Sequence, residues 1–386
     1  MLYVILSYFF YPMARLAMVL RRHRNIQRIL VIQTAKIGDL ICATPVFRAL
    51  AQRFPEAHIT VLVNPVTREL LEGNPHVHAA VPIRPEFYAG LAGKFRLARL
   101  IRDGRYDVAV CMNPNVPFAI GLFWGLVPVR LSVMPDFVGS TFRLAAGLFT
   151  HLAPHSSERL VVQTYFDALR YIGVDSNDFA KEVTKARGAD EKAQALLAEA
   201  TQPIVGIAVS SANKLKQLSA AKISRLIDSL RTRNELYVVL IGSAQDRRDA
   251  DEVIALLGDT ARVIDAVGKF TLGELPALVQ RLSVFVGVDS GLTYMADACA
   301  TPIVQIAGPV NIKEQRPMGK ACAIIKRDLP CAPCSHVFRT VQSCRIKTRE
   351  CIESVTADEI YNAVLSLLNR ADASDHRHRA PDQRGT

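Results

Sequence analysis

Four short stretches carry side chains able to do chemistry, and each lies where an apolar run ends. The first is Gly38-Asp39, inside RILVIQTAKIGDLICATPVFRALAQRF, residues 28–54. A carboxylate there suits two jobs. It can cap the helix that follows, or take a proton from a hydroxyl nucleophile. The second is Ser210-Ser211, followed by Lys214 and Lys216 in ANKLKQ. Two hydroxyls and two ammonium groups suit a diphosphate. The third is Gly242-Ser-Ala-Gln-Asp246, where an acidic side chain can accept ribose hydroxyls. The fourth is Asp289-Ser290-Gly291. Free amides and the dipole at a helix start attract phosphate. Ser290 adds a hydroxyl, and Gly291 lets a ligand approach the backbone. Any one of these is equally an ordinary capped helix. All four follow a strand on the same edge, and that favours a ligand site.

The elements that must position them alternate. Ile29–Ile32 is a β-branched run that reads as a strand buried on both faces. Val46, Phe47, Leu50 and Phe54 share one helical face. That helix starts at Asp39 and bends at Pro45, or starts at Thr44 with Pro45 in its first turn. Strands are expected over 59–63, 78–83 and 106–112, and a basic helix over 93–102 with Lys94, Arg96, Arg99 and Arg102. Residues 114–150 read as a loop-and-helix insert that could cradle an acceptor. A helix is expected over 158–172, capped by Ser156 or Ser157 and ended by Gly173. A polar stretch from 174 to 188 marks a domain boundary. Strands then recur at 204–209, 236–241, 262–265, 284–288 and 303–306. Helices recur at 221–231, 246–257 and 272–281, and one starts near Leu292. This predicts an α/β protein of two doubly wound domains facing each other across a cleft.

Bulk properties agree. A chain of 386 residues is long for one core. Half of it is hydrophobic, and the formal net charge is +11. A basic excess calls for an anionic partner. No RNP, zinc-finger or helix-turn-helix pattern is present, so nucleic acid is a weaker candidate than an acidic membrane face or a phosphorylated substrate, and no nucleic-acid partner is expected. Residues 2–20, LYVILSYFFYPMARLAMVL, are apolar but broken by Pro12 and Arg15, and Arg21, Arg22 and Arg24 follow. No cleavage site is visible, which argues against a signal peptide. We read residues 1–24 as a membrane-associating segment lying in the interface, dispensable for folding. A true span and a helix docked on the protein are the alternatives.

The motifs resemble those of the ADP-heptose lipopolysaccharide heptosyltransferase family, glycosyltransferase family nine, from about Arg28 to about Leu368. IQTAKIGDLICATP matches its opening motif of strand, small-polar loop, Gly-Asp and a nearby Pro. Ser210, Ser211 and Lys216 match its second motif, although Gln217-Leu218-Ser219 replace the usual residues and Lys214 competes for the lysine position. Asp289, Ser290 and Gly291 match its third, with Tyr294 where His is usual. The resemblance implies a GT-B fold of two Rossmann-like domains. It implies inverting, metal-independent transfer of a heptose from a nucleotide-diphosphate sugar, with Asp39 as the base. It also implies an anionic, lipid-linked saccharide acceptor at the cytoplasmic face of the inner membrane. Residues 25–175 would then be the acceptor domain, 189–370 the nucleotide-sugar domain and 371–386 a disordered tail. The runners-up are another nucleotide-sugar enzyme of GT-B shape, such as a hexosyltransferase or epimerase, and a silent sugar-nucleotide-binding protein.

Eight cysteines in a chain this long are not a secreted framework. Cys42, Cys111 and Cys299 lie in apolar surroundings and read as buried thiols. Cys331, Cys334, Cys344 and Cys351 have spacing that permits zinc. The resemblance implies a structural staple instead, and free thiols are the third option. No cofactor and no catalytic metal are expected.

Overall fold

Runs such as Ile29–Ile32 have no polar face, so they are stable only with helices on both sides of the sheet. The computed structural model describes residues 2–21, 25–200, 203–234 and 236–378, and such runs form two sheets in it. Each sheet belongs to its own unit. Unit 1 comprises residues 1–184, 313–315 and 336–340, and unit 2 comprises 185–312, 316–335 and 341–386.

Unit 1 runs in order through α1 (Leu2–Phe9), α2 (Tyr11–Arg21), β1 (Arg28–Gln33), α3 (Ile37–Arg53), β2 (His58–Val63), β3 (Ala79–Pro82) and α4 (Gly90–Asp103). It continues through β4 (Val108–Cys111), α5 (Val116–Trp124), β5 (Val129–Met134), α6 (Ser140–Ala146), β6 (His151–Pro154) and α7 (Val161–Leu169). All strand pairs are parallel, in the order β3-β2-β1-β4-β5-β6. The chain therefore reverses its direction of travel between β1 and β4. That is the topological switch point, where open sheets of this kind leave a crevice.

Unit 2 contains α8 (Ala189–Leu196), β7 (Ile204–Ala208), α9 (Ala220–Asn234), β8 (Tyr237–Ile241), α10 (Arg247–Ala255), β9 (Val263–Asp265) and α11 (Leu275–Val279). It ends with β10 (Val284–Val288), α12 (Gly291–Ala298), β11 (Ile303–Ile306), β12 (Cys322–Ile325), α13 (Glu350–Glu353) and α14 (Ala357–His378). Its sheet is also all parallel, in the order β12-β11-β10-β7-β8-β9. Counted within the unit, this is the same strand order as unit 1, with the switch point between β7 and β10.

Helix α3 begins at Ile37 and runs through Pro45, so Thr44 does not start it. Proline has no N–H, which leaves the Ile41 carbonyl without its helical donor. The Thr44 hydroxyl donates to that carbonyl at 2.7 Å and accepts the Glu182 amide at 2.9 Å. Helix α7 is shorter than expected, with Leu160 at its N-cap rather than Ser156 or Ser157, and Gly173 ends the turn after it with φ +74°.

Residues 114–150 are not an insert. They supply α5, β5 and α6, and β5 is an interior strand of the sheet. An arginine beside Pro128 masked it. Arg130 is nevertheless 2% exposed, and it donates to the carbonyls of Val127 and Leu148. Burial pulls its pKa down to about 10. Strands β6 and β12 and helix α8 were also unread. The chain from Ala371 was expected to be disordered, yet α14 continues to His378. The rest of that tail, 379–386, lies outside the described residues, as do Arg22 and Arg24.

Residues 313–315 and 336–340 come from the C-terminal half but sit in unit 1. Glu314, 2% exposed, is held between His155 Nε2 at 3.1 Å and His336 Nδ1 at 2.7 Å.

The N-terminal pair α1–α2 is docked on unit 1. Val4, Ser7 and Met18 are buried. The Tyr11 ring stacks on Phe123 at 5.5 Å, and the Trp124 indole N–H donates to Ser7 Oγ at 2.9 Å. Removing this segment would uncover Phe123 and Trp124, which argues against its being dispensable. No single described helix is long and apolar enough to cross a membrane, and the pair bends by 63°.

Candidate functional site

In unit 1, Asp39 follows β1 and Asn113 follows β4, so they flank the switch point. Asp39 is the third residue of α3, and its carboxylate accepts the Lys36 amide at 3.3 Å. It therefore caps the helix, whatever else it does. Gly38 precedes it in the first turn. The loop between them is fixed from the other strand, because Asn113 Oδ1 accepts the amides of Thr34 at 2.6 Å and Ala35 at 3.2 Å. Beneath it, the Gln33 side-chain amide donates to the Asp39 carbonyl at 3.4 Å. Tyr165 of α7 completes the floor. Burial, and next the nearby Asp39 carboxylate, push its phenol well above the usual range. Gln33 and Tyr165 escaped the sequence reading. Gln33 is a fully buried polar residue in an apolar strand, and that break in the run was the available signal. For Tyr165, inside an amphipathic helix, there was none.

In unit 2, Ser210 and Lys216 follow β7, while Asp289 and Ser290 follow β10, so they flank the matching switch point. The Lys216 ammonium pairs with Asp289 Oδ2 and lies 3.3 Å from the Asp289 carbonyl. Both side chains are mostly buried, 13% and 14% exposed. Tyr294, 2% exposed on α12, donates its phenol to the other carboxylate oxygen, Oδ1. Ser290 is the N-cap of α12, but its hydroxyl caps no amide and lies 3.5 Å from Thr293 Oγ1. Gly291 opens the helix. The first amides of α12 are thus not covered by the capping side chain, which leaves them suited to an anion.

Lys214 points elsewhere. It pairs with Asp249 at 2.7 Å and donates to Ser210 Oγ at 2.8 Å. Burial works against charge on Asp249, but hydrogen bonds from Lys214, Gln217 and Ser210 outweigh it and hold that carboxyl below its ordinary value. Lys214, Gln217 and Asp249 line a pocket of about 210 Å³ with Val209, Glu252 and Arg349. Asp249 went unread because it lies in the first turn of α10, a strand away from Lys214. Ser211, next to Ser210 in the chain, is buried. Asp246 follows β8 and accepts from both the amide and the hydroxyl of Ser243, at 2.8 and 2.7 Å. Apart from Ser211 and from Asp246, which pairs with Ser243, the sequence-selected residues of unit 2 fall into two groups. Lys216, Asp289, Ser290, Gly291 and Tyr294 form one, and Ser210 and Lys214 join Asp249 in the other.

The four C-terminal cysteines are neighbours in unit 2. Burial raises the Cys351 thiol first, and then the three others raise it further. All eight cysteines are free, so no covalent staple is formed. Among the described residues, no group of three or more His, Cys, Asp or Glu has the arrangement of metal ligands. Cys42 and Cys111 are buried, and Cys299 is partly so. Burial pushes the Cys111 and Cys299 thiols up to about 12.

Residues 94–344 match the family model described as Glycosyltransferase family 9 (heptosyltransferase). The Escherichia coli protein named lipopolysaccharide heptosyltransferase 3 is 29% identical over 283 residues, 71% of this chain and 81% of its own. The fold is similar to the solved structure of E. coli ADP-heptose lps heptosyltransferase II, with a TM-score of 0.71, 20% identity, and coverage of 90% of this chain and 100% of that one. It is also similar to E. coli heptosyltransferase WaaC with ADP-2-deoxy-2-fluoro heptose, at a TM-score of 0.60, 16% identity, and coverage of 88% and 99%. These likenesses bear out the GT-B expectation: two Rossmann-like, doubly wound domains.

Proposed function

Because this chain belongs to glycosyltransferase family 9 (heptosyltransferase), and so is a glycosyltransferase, we propose that it moves a heptose from ADP-heptose to the core saccharide of lipopolysaccharide. The observation that carries this reading is positional. Asp39 and the Lys216–Asp289 pair occupy the same place in two sheets of the same strand order. That place is the switch point, where ligands bind in such folds. A carboxylate at one and a cation beside uncovered helix amides at the other are the two things glycosyl transfer from a diphosphate needs.

In this reading unit 1 takes the acceptor and unit 2 the donor. An acceptor hydroxyl attacks the anomeric carbon, the bond to the diphosphate oxygen breaks, and the configuration inverts. Asp39 accepts the hydroxyl proton as the new bond forms. Lys216 and the α12 amides stabilise the negative charge that builds on the leaving diphosphate. Ser290 and Gly291 contact the same phosphates, and Asp289, fixed by Tyr294, holds Lys216 in place. Ser210, Ser211 and Lys214 border the nucleotide, and Asp246 serves its ribose.

The printed names of the relatives support the donor and the acceptor. The net charge of +11 supports an anionic acceptor. We place the protein peripherally on the cytoplasmic face of the inner membrane, where such an acceptor is carried. A panel of nucleotide sugars, offered with truncated lipopolysaccharide acceptors, tests this. ADP-heptose should be consumed with inversion at the anomeric carbon. Preference for a hexose donor, or donor binding without transfer, would overturn it.

A further inference from the structure

Among the described residues, half of the exposed large hydrophobic side chains lie in α1, α2 and the turn between them. Phe9, Phe10, Met13, Leu16, Val19 and Leu20 are all exposed, with Phe9 at 78% and Leu20 at 79%. A soluble monomer rarely presents so much apolar surface in one place. The inner face of the same helices is docked, so the outer face is held in a fixed attitude.

This face does not end with the two helices. Lys94 of α4 lies 5.0 Å over the Tyr3 ring. Phe95, 57% exposed, stacks on Trp124, whose indole donates to Ser7. Arg102 donates to the Trp124 carbonyl at 2.6 Å. Phe95, Arg99 and Arg102 are spaced four and three residues apart, so they share one side of α4. On the other flank, the Tyr8 hydroxyl donates to the carbonyl of Leu144, an exposed leucine of α6 next to Arg143. Cations outnumber acids at this border: α4 carries Lys94, Arg96, Arg99 and Arg102 against Asp103, which lies 3.8 Å from Arg99. No Asp or Glu precedes Asp39, whereas Arg15 and the α4 cations border the apolar face.

We propose that the outer face of α1–α2 and the adjoining sides of α4 and α6 form one rigid docking surface for an anionic lipid bilayer. The apolar side chains enter the headgroup boundary and the cations of α4 meet lipid phosphates. Aromatic residues fill the band between, where their amphipathic rings are favoured. A second copy of the chain would carry the same cations and repel itself at this border, which is why a bilayer fits and a dimer does not. The proposal deepens the membrane placement given above, but it does not depend on the sugar transferred.

The test uses the full chain and vesicles of phosphatidylcholine, with and without phosphatidylglycerol, in a sedimentation assay. The wild type should bind the anionic vesicles, and added salt should weaken binding. Phe9→Gln with Leu20→Gln, both at highly exposed sites, should abolish it. Arg99→Glu, 85% exposed and far from the N-terminus in sequence, should weaken it roughly tenfold or more. Transfer to a water-soluble truncated acceptor should be unchanged in all these variants. Equal binding to neutral vesicles, or no effect of Arg99→Glu, would overturn the composite surface. So would a dimer in light scattering that Phe9→Gln dissociates, since the face would then cover a second copy. If the wild type binds anionic vesicles but transfers nothing, the heptosyl reading fails and this one stands.

Discussion

The phenol of Tyr294 donates to one carboxylate oxygen of Asp289, and Lys216 pairs with the other. Tyr294 thus acts as a hydrogen-bond donor to the aspartate. Tyr294→Phe keeps the buried ring and removes only that donor. The expected result is a donor KM raised about tenfold, the worth of roughly one hydrogen bond to a charged group, with Tm nearly unchanged. Tyr294→His should restore most of the loss, because it returns an N–H donor. A fall in Tm that matches the loss of activity would make Tyr294 a packing residue only.

The two lysines of the 213–217 loop have different partners, and they should behave differently. Lys216 is tied to the β10 end, while Lys214 is tied to Asp249 and is 63% exposed. Lys216→Ala should weaken ADP binding in calorimetry by about 1.5–3 kcal/mol, the range for a charge-assisted bond. Lys214→Ala should cost less. The reverse order would move the phosphate site to the pocket beside α10.

Much of this was legible in the sequence, and the rest had a physical reason to hide. Strands such as 29–32, 204–208 and 284–288 are uniformly apolar runs that give way to Gln33, Ser210 and Asp289, and parallel sheets demand such runs. Strand β5 was hidden because Arg130 finds backbone carbonyls inside the protein that no local pattern announces. The helix through Pro45 was ambiguous because the rescue by Thr44 is a three-dimensional fact. Asp39, Lys216 and Asp289 stood out in the sequence because they are polar residues just after apolar runs. Tyr165 and Asp249 did not stand out because they lie on helices, where one polar side chain looks like any other.

The hydrogen bond from Thr44 to the Ile41 carbonyl gives a stability prediction. Thr44→Val is close to the same shape but leaves a buried carbonyl and the Glu182 amide without partners. That should cost about 1–3 kcal/mol in urea denaturation, with no change in donor KM.

Glu359 gives a pH prediction. Hydrogen bonding from Arg327, and next from the Thr356 amide, holds its carboxyl down at about 2. It also accepts that amide at 2.8 Å at the start of α14. A lowered folded value means the stabilisation is present above the unfolded carboxyl value, about 4.3, and is lost as pH falls toward 2. Glu359→Gln should therefore lower stability at neutral pH, by about 1 kcal/mol for the weakened cap. Wild type and variant should converge on acidification. A gap that widens toward low pH would contradict this.

The account turns on Asp39. Asn at this position keeps the shape and can still accept the Lys36 amide, but it cannot take a proton from a sugar hydroxyl. The decisive measurement is single-turnover heptosyl transfer from ADP-heptose by Asp39→Asn, run beside donor affinity and Tm of the same sample. The rate should fall by about 10²–10⁴, the usual loss of a general base, while affinity and Tm stay near wild type. Near-normal transfer, or a rate lost only in step with Tm, would contradict it and leave Asp39 as the cap of α3 and nothing more.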